Sequence, residues 1–129
     1  MLSFTCTGHP LLTGTHQTTF EFTKDDHLTE RGTCIIGVSA DFSLEKVKEF
    51  IQEKVKASNL SVVITISAGS HEETVTATLN PDFSHPSEMV IRTSSFLDKR
   101  TFAVRASKSA NELDRRIMFK DGILHITLV

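Results

Sequence analysis

Phe4-Thr5-Cys6-Thr7-Gly8-His9-Pro10 and Val75-Thr76-Ala77-Thr78-Leu79-Asn80-Pro81 are the two stretches on which the reading of the fold turns. Each alternates apolar and polar residues and then breaks at a proline, the pattern of a strand running into a turn. The match extends outward in order. His16 stands where the second copy has His85, and Leu28-Thr29-Glu30-Arg31-Gly32-Thr33 where it has Phe96-Leu97-Asp98-Lys99-Arg100-Thr101. Cys34 to Ser39 then runs against Phe102 to Ser107, and each copy changes to helical spacing. The expectation is a single domain over 1–129 containing an internal duplication, 2–67 and 73–129. Neither half is large enough to bury an apolar face alone.

Period-two alternation recurs through Thr18 to Thr23, Leu60 to Ile66, Met89 to Arg92, Phe102 to Arg105 and Leu124 to Leu128. Thr33-Cys34-Ile35-Ile36-Gly37-Val38 is apolar on both faces, as in a central strand. Ser43 caps a helix whose buried stripe is Leu44, Val47, Phe50, Ile51 and Val55. A second, shorter helix is expected from Ser107 or Ser109, with Ala110, Leu113 and Ile117 on one face and Gly122 ending it. The predicted fold is α+β, with two pseudo-symmetric strand-strand-strand-helix-strand halves, about eight strands and two helices.

The 129 residues are 39% hydrophobic and carry a formal charge of -2. That balance argues against general nucleic-acid or membrane-surface binding, which needs a basic excess. No apolar run is long enough to span a bilayer. The first residues lack a charged n-region and an apolar core, so no signal peptide is expected. Cys6 and Cys34 are too few for a secreted disulfide scaffold, and the cytoplasm is the expected compartment.

Gly8-His9-Pro10, Thr15-His16, Thr18-Thr19, Leu28-Thr29, Cys34-Ile35-Ile36-Gly37-Val38 and Ala40-Asp41 resemble the signature of a mainly archaeal family, domain of unknown function 371. The second half agrees through Met89 to Arg92, Arg100-Thr101, Ala106 to Lys108 and Leu113-Asp114-Arg115. The resemblance covers nearly the whole chain and implies an intracellular archaeal protein. It implies no activity.

Divergence between the copies carries the functional reading. Gly32 stands against Arg100, Gly37 against Arg105 and Ala40 against Lys108. The first copy is acidic around Glu21, Asp25, Asp26 and Asp41, and the second basic through Arg92, Lys99, Arg100, Arg105 and Lys108. Glycine at two of the matched positions would let a ligand or another chain approach the backbone. Arg92 and Arg105 on neighbouring strands of a hairpin, with Lys108 at a helix start, would together hold a phosphate or carboxylate. The competing reading pairs these cations internally with Glu21, Asp41 or Asp98.

His9 and His16 flank a proline turn and, with Asp26, have the chemistry of an acid/base centre. Their spacing matches no metal motif, so no metal is expected; the bland alternative is that each histidine bonds its own loop. His27, His71 and His125 look incidental. Cys34, inside an apolar strand, reads as an inert buried thiol rather than a nucleophile served by His16, and Cys6 likewise. No phosphate loop or nucleophile elbow occurs, and no cofactor is expected. The expected function is therefore a small domain binding an anionic, phosphate-bearing small molecule through Arg92, Arg105 and Lys108. One alternative is an enzyme using His9, His16 and Asp26 beside that patch. Another is a subunit of a larger complex, a homo-oligomer included, docking by an exposed sheet face or edge.

Overall fold

A computed structural model describes residues 1–26, 32–117 and 122–129. The repeat segment Leu28 to Arg31, His27, and the residues between Ile117 and Gly122 that were to finish a second helix lie outside the described residues. Eight strands and one α-helix follow in the order β1 (Leu2–Thr7), β2 (Thr19–Thr23), β3 (Ile35–Gly37), α1 (Leu44–Lys56), β4 (Ser61–Ala68), β5 (His71–Leu79), β6 (Glu88–Arg92), β7 (Thr101–Val104) and β8 (Ile123–Leu128). Every strand expected from alternation forms, and the class is α+β.

One mixed sheet takes the order β1-β8-β4-β5-β7-β6-β2-β3. Its pairs are antiparallel except β2–β3 and β6–β7. A parallel pair cannot be closed by a tight turn, so residues 93–100 cross over to return the chain to the same end. This corrects the hairpin expected for Arg92 and Arg105. At the sheet's two outer strands, Thr7 and Val38 exchange both backbone hydrogen bonds at 2.8 Å. Edge meets edge there, and the sheet closes round its apolar face.

Alternation aims Phe20, Phe22, Ile64, Ile66, Leu124 and Ile126 into that interior, each with 0% exposure. Each such side chain contributes roughly 1.5–3 kcal/mol by leaving water. Phe4 meets Phe22 and Phe42 edge to face, with ring centroids 5.5 Å apart. A Cβ added at Gly37 would stand 2.3 Å from Cys6 Sγ. The missing side chain is what lets β3 reach β1, and the room expected for a ligand at Gly37 is filled by that thiol.

Ser43 caps α1, its Oγ accepting the Lys46 N–H at 3.4 Å. Val47, Phe50 and Ile51 are buried as their spacing predicts, whereas Val55 in the last turn is exposed. The second helix is corrected to two 3-10 turns, Ala110–Glu112 and Arg115–Ile117. The expected face is nonetheless buried: Ala110, Leu113 and Ile117 all lie in the core. Side chains compete for the backbone that a continuous helix would use. Glu73 takes the Asp114 N–H at 3.0 Å, and the Arg115 guanidinium bonds the carbonyls of Ala110 and Leu113.

Several contacts recur in both halves. His16 Nδ1 accepts the N–H groups of Thr18 and Thr19, and His85 Nδ1 those of Ser87 and Glu88. Asp41 accepts the Thr5 N–H, and Ser107 the Thr76 N–H. Ser39 and Arg105 share φ 52°, and both follow a strand that pairs parallel with its neighbour.

Candidate functional site

The three nominated cations point to three different places. Arg92 ends β6 and is 13% exposed; its Nε donates to Thr101 Oγ1 at 2.7 Å and its Nη2 to Asp98 Oδ2 at 3.2 Å. Its guanidinium also lies 4.9 Å from the Phe96 ring centroid. Lys108 Nζ pairs with Glu73 of β5. Arg105 alone of the three meets no carboxylate among the described residues. It is exposed and borders a shallow groove of about 310 Å³ with Ser61, Val63, Thr76 and Thr78. Backbones explain the dispersal: the Ala106 N–H bonds the Arg92 carbonyl at 3.0 Å, but the left-handed turn at Arg105 sends its side chain elsewhere.

The acid/base set is likewise spread out. His9 Nδ1 accepts the Leu11 N–H of its own turn at 3.0 Å. His16 is bound to the start of β2, while Asp26 lies beyond the end of that strand. Five strand residues span roughly 13–17 Å, too far for one proton relay. Among the described residues no group of three or more His, Cys, Asp or Glu side chains is gathered for a metal ion.

A different polar centre lies on the outer side of β2. Glu21 is 3% exposed, and burial, then the Glu88 carboxylate, push its carboxyl up to about 7. Asp25 adds to this, while Arg100 and Arg92 oppose it. Cys34 sits in the turn before β3 and is half-buried, not mostly buried as expected. Burial and then Glu21 raise its thiol pKa, so it is held as a thiol. The Thr19 hydroxyl joins Cys34 to His16 Nδ1, at 3.0 Å from the latter. This surrounding suppresses a thiolate and gives no support to nucleophilic catalysis. Cys6 is more extreme: burial, then Asp41, lift it to about 12.

A groove of about 410 Å³ lies where β1 and β8 meet the start of α1. Leu2, Asp41, Phe42, Lys46, His125 and Thr127 are among the residues that line it. Asp41 is pinned by Thr5, whose N–H reaches Oδ1 at 2.7 Å and whose hydroxyl reaches Oδ2 at 2.8 Å. The Thr5 backbone bond above all holds the Asp41 carboxyl below the usual range.

Residues 4–123 match a family described as a domain of unknown function, DUF371. The chain belongs to the DUF371 family. A curated relative, an uncharacterised protein MJ0206 of Methanocaldococcus jannaschii, is 36% identical over 115 residues, covering 88% of this chain and 84% of the relative. The DUF371 match carries no assigned activity, in keeping with the reading from the motifs. No helix described in this DUF371 chain is long and apolar enough to cross a membrane. Glu21 stands out in the sequence only as one of the acids of the first copy and a possible partner for the arginines; its burial comes from the fold alone. Two further residues with site-like surroundings carry no signal in the sequence. Lys46 and His125 come from α1 and β8, and nothing local brings β8 beside β1.

Proposed function

We propose that the protein is a small cytoplasmic binding domain for a phosphate- or carboxylate-bearing molecule, with Arg105 as the cation that meets it. The observation that carries this reading is the guanidinium of Arg105, exposed, unpaired with any carboxylate among the described residues, and beside the hydroxyls of Ser61, Thr76 and Thr78. A guanidinium offers a planar fork of donors to phosphate, and hydroxyls can add more. Arg92 and Lys108 would have to give up Asp98 and Glu73 to join, so their part in it is the framework. Arg105→Ala should leave unfolding within about 0.5 kcal/mol of wild type, as surface changes do. It should also abolish stabilisation by phosphate or phosphorylated metabolites, which at ~100 times Kd is about 2.7 kcal/mol. Arg92→Ala, which strips Asp98 of a cation, should cost about 1–3 kcal/mol. Thermal melts of all three proteins with and without inorganic phosphate and a metabolite panel check this. A wild type indifferent to every anion would end the reading.

We also infer that the two halves are copies related by a pseudo-dyad. The support is the recurrence of the contacts above and the register across the centre. Thr19 pairs with Arg92 and Thr23 with Glu88 around Glu21 and Val90, and Ile64 pairs with Leu128 and Ile66 with Ile126 around Thr65 and Thr127. On this reading Gly37, opposite Phe22, corresponds to Ala103, opposite Ile91, and not to Arg105. It also makes the β4–β5 turn at Gly69 equivalent to a connection from β8 to β1, whose residues Leu128 and Leu2 are partners. A circular permutant starting at Ser70 and ending at Gly69, with Val129 joined to Met1 through a two-residue turn, should therefore fold cooperatively. Its urea midpoint close to wild type supports the copies; a molten or insoluble product counts against them.

A further inference from the structure

The groove between β1, β8 and the start of α1 is independent of Arg105 and differs from it in charge. Its approximately 410 Å³ lies within the range of small-molecule sites. Its apolar lining comes from Leu2, which is half-buried, and from the edge of Phe42, which is 2% exposed. One wall holds a fixed anion, Asp41, which is oriented by two hydrogen bonds from Thr5 and keeps further lone pairs for a donor. The lining also holds Lys46, in the first turn of α1, and His125, which stands opposite Thr5 across the β1–β8 ladder. Neither Lys46 nor His125 has a side-chain hydrogen bond or ion pair among the described residues.

A purely anionic ligand would meet Asp41, and a purely cationic one would meet Lys46. A molecule with both charges close together avoids either repulsion. We infer that this groove binds a small zwitterion with an apolar body, of the class of a free α-amino acid. Its ammonium faces Asp41, its carboxylate faces Lys46 with His125 beside it, and its apolar side chain lies along Leu2.

Calorimetric titration of the full chain with leucine, methionine and phenylalanine tests this, alongside the N-acetyl and amide derivatives of each. At least one free amino acid should bind saturably. Its N-acetyl and amide forms should bind roughly tenfold or more weakly, since each loses one charge-assisted contact. Lys46→Ala, at an exposed helix position, should weaken the free amino acid and erase its advantage over the amide while leaving its advantage over the N-acetyl form. No saturable binding by any of the three overturns the inference, as does equal binding of the blocked forms. An affinity of Lys46→Ala for the free amino acid equal to that of wild type would also overturn it. Loss of phosphate stabilisation in Arg105→Ala would stand whichever way this titration falls.

Discussion

Gly37→Ala should destabilise the protein by about 3 kcal/mol, at the upper end of the usual range for overfilling a packed core. The new methyl would meet Cys6 Sγ at 2.3 Å and Cys6 Cβ at 3.1 Å. These are the atoms nearest the backbone of a buried side chain, and they cannot swing aside as the tip of a lysine could. Relief would have to come from parting β1 and β3, and the Thr7–Val38 hydrogen bonds that close the sheet lie at that seam. Cys6→Ala removes the sulfur that the methyl strikes. On its own it leaves a small hole and should be mildly destabilising. Combined with Gly37→Ala, it should recover most of the loss, giving a strongly non-additive double-mutant cycle. Chemical denaturation of the four proteins measures the coupling. Additive costs would mean that the seam tolerates the extra methyl for some other reason.

Glu21→Gln should stabilise the protein at high pH and do little at low pH. In the unfolded chain Glu21 ionises near its usual 4.5, whereas in the fold it keeps its proton up to about 7. Between those values the folded state binds a proton that the unfolded state has lost. Unfolding free energy from this group therefore falls as pH rises through the window. Below 4.5 both states are protonated and the stability is intact; above about 7 both are ionised and the cost of a buried charge is complete. The difference corresponds to about 3 kcal/mol. Glutamine has the shape of the protonated acid and never ionises. Its advantage over wild type should grow from near zero at pH 4 to about 3 kcal/mol at pH 8. Urea titrations of both proteins across that range test it. A difference that stays constant with pH would show that Glu21 is not held protonated by its surroundings.

Both predictions turn on features of different legibility. The alternation of Phe20 and Phe22 with Thr19, Glu21 and Thr23 identifies a strand and its two faces without any structure. It also predicts that Glu21 points away from Phe20. What it does not predict is that the outward side of β2 is itself buried, with Thr19, Glu21 and Thr23 at 7%, 3% and 1% exposure. In the same way the glycine at position 37 is visible, but the sulfur that needs its missing side chain is thirty-one residues away in the chain. The charged residues were the least legible of all. Arg92, Arg105 and Lys108 look like one patch in a linear reading, yet a cation pairs with whichever carboxylate the fold brings beside it, here Asp98 for Arg92 and Glu73 for Lys108.

By itself the sequence determined the eight strands, their inward faces, the Ser43 cap with the Val47-Phe50-Ile51 stripe, and membership of the family, because each depends on residues within a few positions of one another or on the order of motifs along the chain. The tertiary structure alone decided the strand order, the parallel pairs β2–β3 and β6–β7, and the meeting of β1 with β3. It also decided that Ala110, Leu113 and Ile117 are buried by two 3-10 turns and not by a helix. Side-chain alternation has the same period in parallel and antiparallel pairs, so it leaves partner and direction open. Those are chosen by backbone hydrogen bonds and charge pairs between distant segments, whose free energy exists only once the chain has closed on itself.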